Sequence, residues 1–249
     1  MPSLQGASWS EIGAFRDAIE PAIAGEPSLC AAAQKFVTSF VASFPSIVLS
    51  RMFAVLPFAR LPPLDAAAAL RFAETADAAS LLLPTTPVLS LLGSCGVKPD
   101  WNDRLRSHGH LAIPLLSRAL VEGIPMIAQL LADVGVDLSW LDGAGEIDSR
   151  RMLGSSNQCF YVAQASSSRD SRGRLIIPSQ TFVAELGIET VFGMAGSYLD
   201  GTMLAAISFS TEVVQRAAID RFPTLIANFK MATTKLALEG RIYPPAGSG

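Results

Sequence analysis

Residues 160–212 read FYVAQASSSRDSRGRLIIPSQTFVAELGIETVFGMAGSYLDGTMLAAISFSTE. Short segments rich in β-branched and aromatic residues alternate here with polar or glycine-containing turns, a pattern typical of strands joined by short connections. The predicted elements are a strand over 158–165, a polar loop over 166–174, a helix near 178–186, a strand over 188–192, a turn over 196–201 and a strand over 202–209. This arrangement predicts an antiparallel sheet with a helix packed against it.

The residues on both sides of this stretch predict further strands and helices. Apolar residues recur at helical spacing on both sides of a break at 21–27, and a long apolar stripe follows the last strand. The predicted elements are two helices within 8–44, a strand over 46–58, a helix over 65–79, a strand over 87–92, a loop over 98–110, a helix over 111–134 that Pro125 kinks or breaks, and a terminal helix from Thr211 to about Leu238.

Composition limits the classes of function. Half of the 249 residues are apolar and 16% are charged, which predicts a well-packed core. The net charge of -3 argues against nucleic acid or an anionic lipid surface as a partner. No apolar run approaches the roughly 18 to 20 residues of a membrane span. Three cysteines without a CxxC pair favour a reducing cytoplasm.

The order of the predicted elements, together with the stretch quoted above, resembles the GAF-type sensor domains of bacterial signalling proteins. The resemblance implies an α/β (α+β) fold, with an antiparallel GAF-like sheet flanked by helices on both faces. In that family a segment after the third strand closes over the ligand, and two final strands lead into a long signalling helix; Gly193, Gly196 and Gly201 flank the matching strands here. The expected organisation is an N-terminal helical extension (1–27), the sensor domain (28–238) and a C-terminal tail (239–249).

The resemblance implies a cytoplasmic ligand-sensing domain that binds a small molecule, forms a homodimer and relays a signal through its terminal helices. A kinase or another output domain would receive that signal, but no output signature is present in this chain, which is either a truncated sensor or a free-standing partner of one. The NKFDE motif of cyclic-nucleotide-binding GAF domains and the cysteine context for bilin attachment are absent, so neither ligand is expected.

Seven residues are candidates for binding the ligand. Arg51 lies in an apolar strand, where a charge is costly unless it is paired in a salt bridge or directed at a bound acid. Trp101, Arg104 and His110 combine an aromatic surface with positive donors, which suits an anionic or aromatic ligand, although an ordinary exposed loop has the same composition. Three residues of the 160–212 stretch complete the set: Tyr161, Gln180 and Tyr198.

Two histidines raise an alternative function. His108 and His110 are two residues apart, so on an extended segment both side chains point the same way and could hold a metal ion or haem iron. A solvated or hydrogen-bonded loop is the more common role for such residues. The cofactor is therefore unknown, and a haem-binding or metal-binding gas or redox sensor remains one alternative.

The sequence argues against an enzyme. It contains no nucleophile elbow, catalytic carboxylate pair, Walker-type loop or dinucleotide-binding glycine motif in a suitable context. GAF-type methionine-sulfoxide reductases work through cysteines, but the surroundings of Cys95 and Cys159 do not match their pattern. A further alternative is a ligand-free interaction module that dimerises through its apolar terminal helices.

Overall fold

The fold is known from a computed structural model, which describes residues 3–107, 109–136, 138, 141 and 159–245. Helices and strands are interspersed along the described chain. The helices are α1 (Trp9–Ala24), α2 (Leu29–Ser43), α3 (Pro63–Thr75), α4 (Arg118–Glu122), α5 (Pro125–Asp133), α6 (Gln180–Leu186), α7 (Arg216–Ile219) and α8 (Pro223–Leu238). The strands are β1 (Ile47–Pro57), β2 (Pro87–Gly96), β3 (Ala112–Pro114), β4 (Cys159–Val162), β5 (Thr190–Ser197) and β6 (Met203–Ser210).

The six strands form one antiparallel sheet in the order β3-β2-β1-β6-β5-β4. β1 and β6 lie at its centre, and β3 and β4 form its edges. Because side chains alternate between the two faces of a strand, each strand contributes to two separate layers of the core. The sheet therefore divides the apolar interior into two parts.

The first layer, which we call the helix-bundle face, is covered by α1, α2 and α8. Ring contacts join α1, α2 and α8 here, for example Phe15 with Phe36 at 5.8 Å and Phe36 with Phe229 at 5.5 Å. The first two helices begin at serine caps, Ser8 and Ser28, whose hydroxyls accept backbone N–H groups. Burial of this apolar layer fixes the helices from both ends of the chain against the same face of the sheet.

The second layer, which we call the loop-covered face, is covered by short elements. Val121 of α4, Leu130 of α5 and Val183 of α6 pack on strand residues such as Leu91 and Ile207. Loop residues around 176–177 complete the cover. Shorter covering elements leave more of this face to connecting segments, which is where binding residues concentrate in many folds.

Two predicted helices are wrong in part. Ala112–Pro114 forms β3, paired with β2, instead of the start of a helix over 111–134. A short apolar run fits a strand as well as a helix, and here the free edge of β2 supplies hydrogen-bond partners. Pro114 suits an edge strand because it has no N–H to donate. Pro125 breaks the remaining helix, as expected, and begins α5.

The terminal helix does not begin at Thr211. Glu212 instead accepts the backbone N–H groups of Leu4 and Gln5, at 2.9 and 3.0 Å, and so holds the N-terminal segment against the sheet. The helical residues that follow are divided into α7 and α8, with Pro223 in the first turn of α8. Proline is favoured there because the first turn needs no N–H donor.

The domain boundaries at 27 and 239 remain predictions. Side chains from both flanking segments belong to the helix-bundle layer, including Ile12 and Ile242, which are 2% and 3% exposed. The backbone carbonyls of Arg241 and Ile242 accept the N–H groups of Leu29 and Cys30 at the start of α2. In the described part of the chain, no helix combines the length and the apolar character that crossing a membrane requires.

Candidate functional site

Arg51 lies at the centre of the loop-covered face. It is the only Asp, Glu, Lys, Arg or His in the six described strands. Its cross-strand neighbours are Ser94 of β2 and Ile207 of β6, and its neighbours along the same face of β1 are Leu49 and Phe53. All four are buried, whereas Arg51 keeps part of its surface accessible. A charged side chain is therefore partly accessible within an otherwise apolar layer.

A β-bulge places Ser94 beside Arg51. The register between β1 and β2 shifts between Met52 and Phe53, so that Leu92 of β2 is an extra residue. Because of it, Leu91 and Ser94 face the same layer although they are three residues apart. The Nε–H of Arg51 points to Ser94 Oγ at 3.5 Å, the outer limit of a hydrogen bond.

Arg51 has no counter-charge within the residues that the structure describes. Its bond to Ser94 is the only one it makes there. Burial lowers the pKa of the guanidinium to about 10, so it still carries its charge at neutral pH. The salt bridge that the sequence suggested as one explanation for Arg51 is therefore not found in this part of the chain.

The backbone of Ser94 connects this site with the opposite side of the sheet. Gln34 of α2 donates its side-chain N–H to Ser94 O at 2.9 Å and accepts Ser94 N–H at 3.0 Å. At the adjacent Gly93, a Cβ atom would lie 2.7 Å from backbone atoms of Ala33 and Gln34. Helix α2 thus rests directly on the bulged strand, which a larger residue at Gly93 would prevent.

Trp101 lies at one end of the loop-covered face. It follows β2 in a short 3₁₀ turn and contacts Phe182 of α6 edge-on, at 5.8 Å between ring centres. Phe182 in turn contacts Phe209 of β6 at 5.3 Å. Lys98 lies over the indole ring at 5.2 Å. The tryptophan is partly exposed and packs at the edge of the same layer as Arg51.

Arg104 is engaged in an ion pair. Its two terminal nitrogens donate to the two carboxylate oxygens of Asp65, at 3.0 and 3.1 Å, and the Asp65 side chain is fully buried. Burial opposes the charge on Arg104, but the bond to Asp65 outweighs it and raises the pKa. Ser90 donates to Asp65, and Tyr243 lies 2.7 Å from Ser90 Oγ. This guanidinium is held by the protein itself.

Within the described residues, the structure shows no metal-ligand cluster at the two predicted histidines. His110 is exposed, and His108 lies outside the described residues. Among residues with described positions, no group of three His, Cys, Asp or Glu side chains is arranged to hold a metal ion. The proposal that His108 and His110 bind metal or haem stays a prediction.

The remaining candidates lie apart from Arg51. Tyr161 and Tyr198 pack with the helix-bundle layer, where their hydroxyls bond to Val214 O at 2.7 Å and to Thr233 Oγ1 at 2.6 Å. Gln180 donates to the carbonyls of Ala165 and Ile177 and thereby fixes the loop before α6. The seven predicted ligand residues thus occupy several places. Arg51, Trp101 and Gln180 lie on the loop-covered side of the sheet, but the Gln180 amide is bonded to the loop before α6.

All three thiols also pack with the helix-bundle layer. Cys30, Cys95 and Cys159 are free and buried. Burial raises the pKa of Cys30 and of Cys159 to about 12, and it raises the pKa of Cys95 as well. A thiol with a raised pKa is a poor nucleophile at neutral pH, because the thiolate is the reactive form.

Sequence reasoning missed four residues at these sites: Ser94, Gln34, Asp65 and Tyr243. Ser94 is a neighbour of Arg51 only because of the bulge. A glycine within an apolar run is typical of a bulge but does not indicate which residue is the extra one. Asp65 lies in the first turn of α3, where acidic residues are common, so its type alone does not mark it as a site residue. Nothing in the sequence pairs it with Arg104, because 39 residues separate them.

No known family profile and no curated protein matches this chain. Among solved structures, it is similar to free methionine-R-sulfoxide reductase from Neisseria meningitidis, solved in complex with its substrate, with a TM-score of 0.50 and 10% identity over 94% of this chain and 95% of the other. It is also similar to the GAF domain of an Acinetobacter phosphoenolpyruvate-protein phosphotransferase (TM-score 0.46, 13% identity, 92% and 96% coverage). The phycocyanobilin-bound GAF domain of a cyanobacterial phytochrome is a third (TM-score 0.49, 11% identity, 92% and 96% coverage).

At these identities the similarity concerns the fold and carries no information on ligand or activity. The element order expected from the sequence is largely present, and the strands form the predicted antiparallel sheet with helices on both faces. The similarity to the reductase extends over nearly the whole of both chains. This chain has a GAF-like α/β fold.

Proposed function

We propose that this protein is a sensory domain that binds a small molecule on the loop-covered face and relays its binding through the terminal helices. The observation that carries the proposal is Arg51, a partly accessible cation in the central strand with no counter-charge among the described residues. A buried charge without a partner destabilises a fold, so it persists where it serves binding or catalysis. Ligand binding explains Arg51 without requiring catalytic machinery.

A route for the relay runs through Ser94. Its side chain contacts Arg51 on the loop-covered face, and its backbone is held by Gln34 of α2 on the helix-bundle face. A ligand that moves Arg51 would move Ser94, and the pair of bonds to Gln34 would transmit that displacement to α2. Coupling of this kind needs two arrangements of one packed element, which a helix resting on a bulged strand can provide.

The helices that would receive the signal present apolar surface to a partner. α1 and α8 pack on one another, yet Trp9 in α1 and Met231 and Leu238 in α8 are 62%, 69% and 62% exposed. Exposed large apolar residues on adjacent helices favour association. In this proposal the domain is a cytoplasmic homodimer, and a kinase or another output domain reads the change in its terminal helices.

A reductase function, which the similarity in fold brings to mind, has less support. The three thiols lie in the layer opposite Arg51, and burial disfavours their ionisation. A catalytic cysteine would need to meet the ligand on the face where it binds. The sensory function is therefore preferred to a reductase.

Native mass spectrometry with an absorbance scan tests the proposal. The purified protein is measured under native and denaturing conditions, and the two masses are compared. Extra mass in the native state that is lost on denaturation supports a bound small molecule, and a Soret band would identify it as haem. A bare, colourless dimer that binds none of the compounds in a metabolite screen would contradict the proposal and favour a ligand-free interaction module.

A further inference from the structure

Most N–H donors of the Arg51 guanidinium form no hydrogen bond within the described residues. Arginine carries five N–H groups in a planar fork. One of them, on Nε, points to Ser94 at 3.5 Å, and the four on the terminal nitrogens have no acceptor in the described ranges 3–107, 109–136 and 159–245. Two other arginines differ in this respect. On the opposite face Arg104 is paired with Asp65, and in the loop before α6 Arg174 is paired with Asp170.

Ser94 supplies a further donor at the same place. Its hydroxyl oxygen receives the weak bond from Arg51, and its own hydrogen is not committed to any acceptor in the described structure. The residue is fully buried, and its backbone is held by two bonds to Gln34. Arg51 and Ser94 together form a small group of hydrogen-bond donors.

The surroundings of this pair are apolar. Leu49, Phe53 and Ile207 flank Arg51 directly, and Phe209 lies beside Ile207 on the same face of β6. In such a layer a charge is stabilised by one opposite charge at close range, whereas a second negative charge would remain uncompensated. The described strands provide one cation here, so the matching ligand has one negative charge and an apolar body.

The geometry points to a small carboxylic acid as the ligand of this site, with its carboxylate on Arg51 and Ser94 and its hydrocarbon or aromatic part on the surrounding apolar residues. This inference rests on the proposed sensory function and names its ligand class. A carboxylate accepts two parallel N–H bonds from a guanidinium, at about 2.7–2.9 Å, which lysine cannot reproduce. The serine hydroxyl donates a third bond to one of the same oxygens.

A matched set of compounds tests the ligand class. Thermal unfolding of the protein is followed with hexanoate, benzoate and indole-3-acetate, with the three corresponding neutral amides, and with inorganic phosphate, each at millimolar concentration. We expect at least one acid to raise the melting temperature by several degrees while its amide and phosphate do not. Protection by an amide equal to that by its acid, or protection by phosphate alone, would overturn the carboxylate assignment.

Three variants tie the effect to the site. In Arg51→Met the protection is lost. In Arg51→Lys the affinity for the acid falls at least tenfold because the planar fork of donors is missing, and in Ser94→Ala the affinity falls several-fold. Circular dichroism verifies that each variant is folded. Without ligand, Arg51→Met melts higher than the wild type because a buried unpaired charge is removed. A lower melting temperature would show that Arg51 is already neutralised within the chain and would overturn the inference.

The outcomes separate this inference from the proposed function. If amides bind as well as acids and Arg51→Met still binds them, the domain is a sensor, but its ligand is not a carboxylic acid. If the wild type is protected by none of the acids and also carries no extra mass in the native state, both the ligand class and the sensory function are contradicted.

Discussion

The side chains of Arg104 and Asp65 form a two-point ion pair, at 3.0 and 3.1 Å, in which the carboxylate is completely buried. The ring of Tyr243 covers the guanidinium at 5.3 Å, and its hydroxyl meets Ser90, which donates to the same Asp65 oxygen that receives Arg104 Nη1. The pair therefore joins α3, the loop that carries Trp101 and the segment after α8. It stabilises the β2 side of the sheet on the face opposite Arg51.

Replacing Asp65 by Asn should lower the free energy of unfolding by about 3–5 kcal/mol, because the change leaves the Arg104 charge buried and unpaired. Urea unfolding followed by circular dichroism measures the loss. The matched control is Arg106→Gln, which breaks exposed pairs with Asp100 and Asp103 and should cost less than about 1 kcal/mol. Equal losses in the two variants would show that the buried pair of Asp65 with Arg104 stabilises the fold no more than the exposed pairs of Arg106.

Replacing Tyr243 by Phe should cost about 1 kcal/mol, because the hydroxyl bond to Ser90 is lost. Combined with Asp65→Asn, the two losses should not add, since both changes affect one hydrogen-bonded cluster. Tyr161→Phe removes a similar bond, to Val214 O, at a distant place, and should add to Asp65→Asn. Additive behaviour of Tyr243→Phe would mean that the C-terminal segment is a separate tail, as the domain boundary at 239 supposes.

Stability should fall in acid partly through Glu212. Burial opposes its ionisation, but the N–H groups of Gln5 and Leu4 and the Ser46 hydroxyl outweigh this and lower the pKa below its ordinary value of 4.5. A carboxylate with a lowered folded pKa stabilises the protein fully above the unfolded value, and this contribution disappears as the pH falls through the folded value.

Urea midpoints of the wild type and Glu212→Gln should therefore differ at about pH 7, and the difference should shrink as the pH falls below the ordinary pKa of 4.5. Glu74→Gln, in an exposed carboxylate on α3, serves as the control for a change of charge alone. A difference between wild type and Glu212→Gln that stays constant with pH would refute the assigned role of Glu212.

The thiols should be unreactive in the folded protein. Cys30, Cys95 and Cys159 are buried, and burial raises the pKa of each. A disulfide reagent at neutral pH should modify them only as fast as the protein unfolds, whereas in denaturant all three thiols should react at once. A thiol that reacts rapidly in the native protein would restore the case for a cysteine-dependent enzyme.

Much of the architecture follows from local sequence patterns. Alternation and turn residues placed β6 and α6 within two residues at each end, and α1 and α2 follow from apolar spacing. β5 was found but continues to Ser197, five residues beyond its predicted end. β3 was missed because its three residues form a strand only through the edge of β2. The break before α8 was missed because the apolar stripe continues across Pro223, although the backbone does not.

The candidate site was only partly predictable. Arg51 was found from the sequence because a charge within an apolar strand conflicts with its neighbours. Arg104 was chosen because its guanidinium could bind an anionic ligand. Its partner Asp65 is distant in sequence, so the ion pair that occupies Arg104 could not be predicted. Tyr161 and Tyr198 carry polar tips that suit a ligand, yet alternation along β4 and the turn after β5 place them on the opposite face.

Binding of an acid to Arg51 is tested most directly by a crystal structure of the purified protein, with attention to the electron density around the terminal nitrogens of Arg51. We expect a bound small molecule, with acidic oxygens about 2.7–2.9 Å from these nitrogens and near Ser94 Oγ. A carboxylate of the chain itself on Arg51, with no room for a ligand, would contradict it.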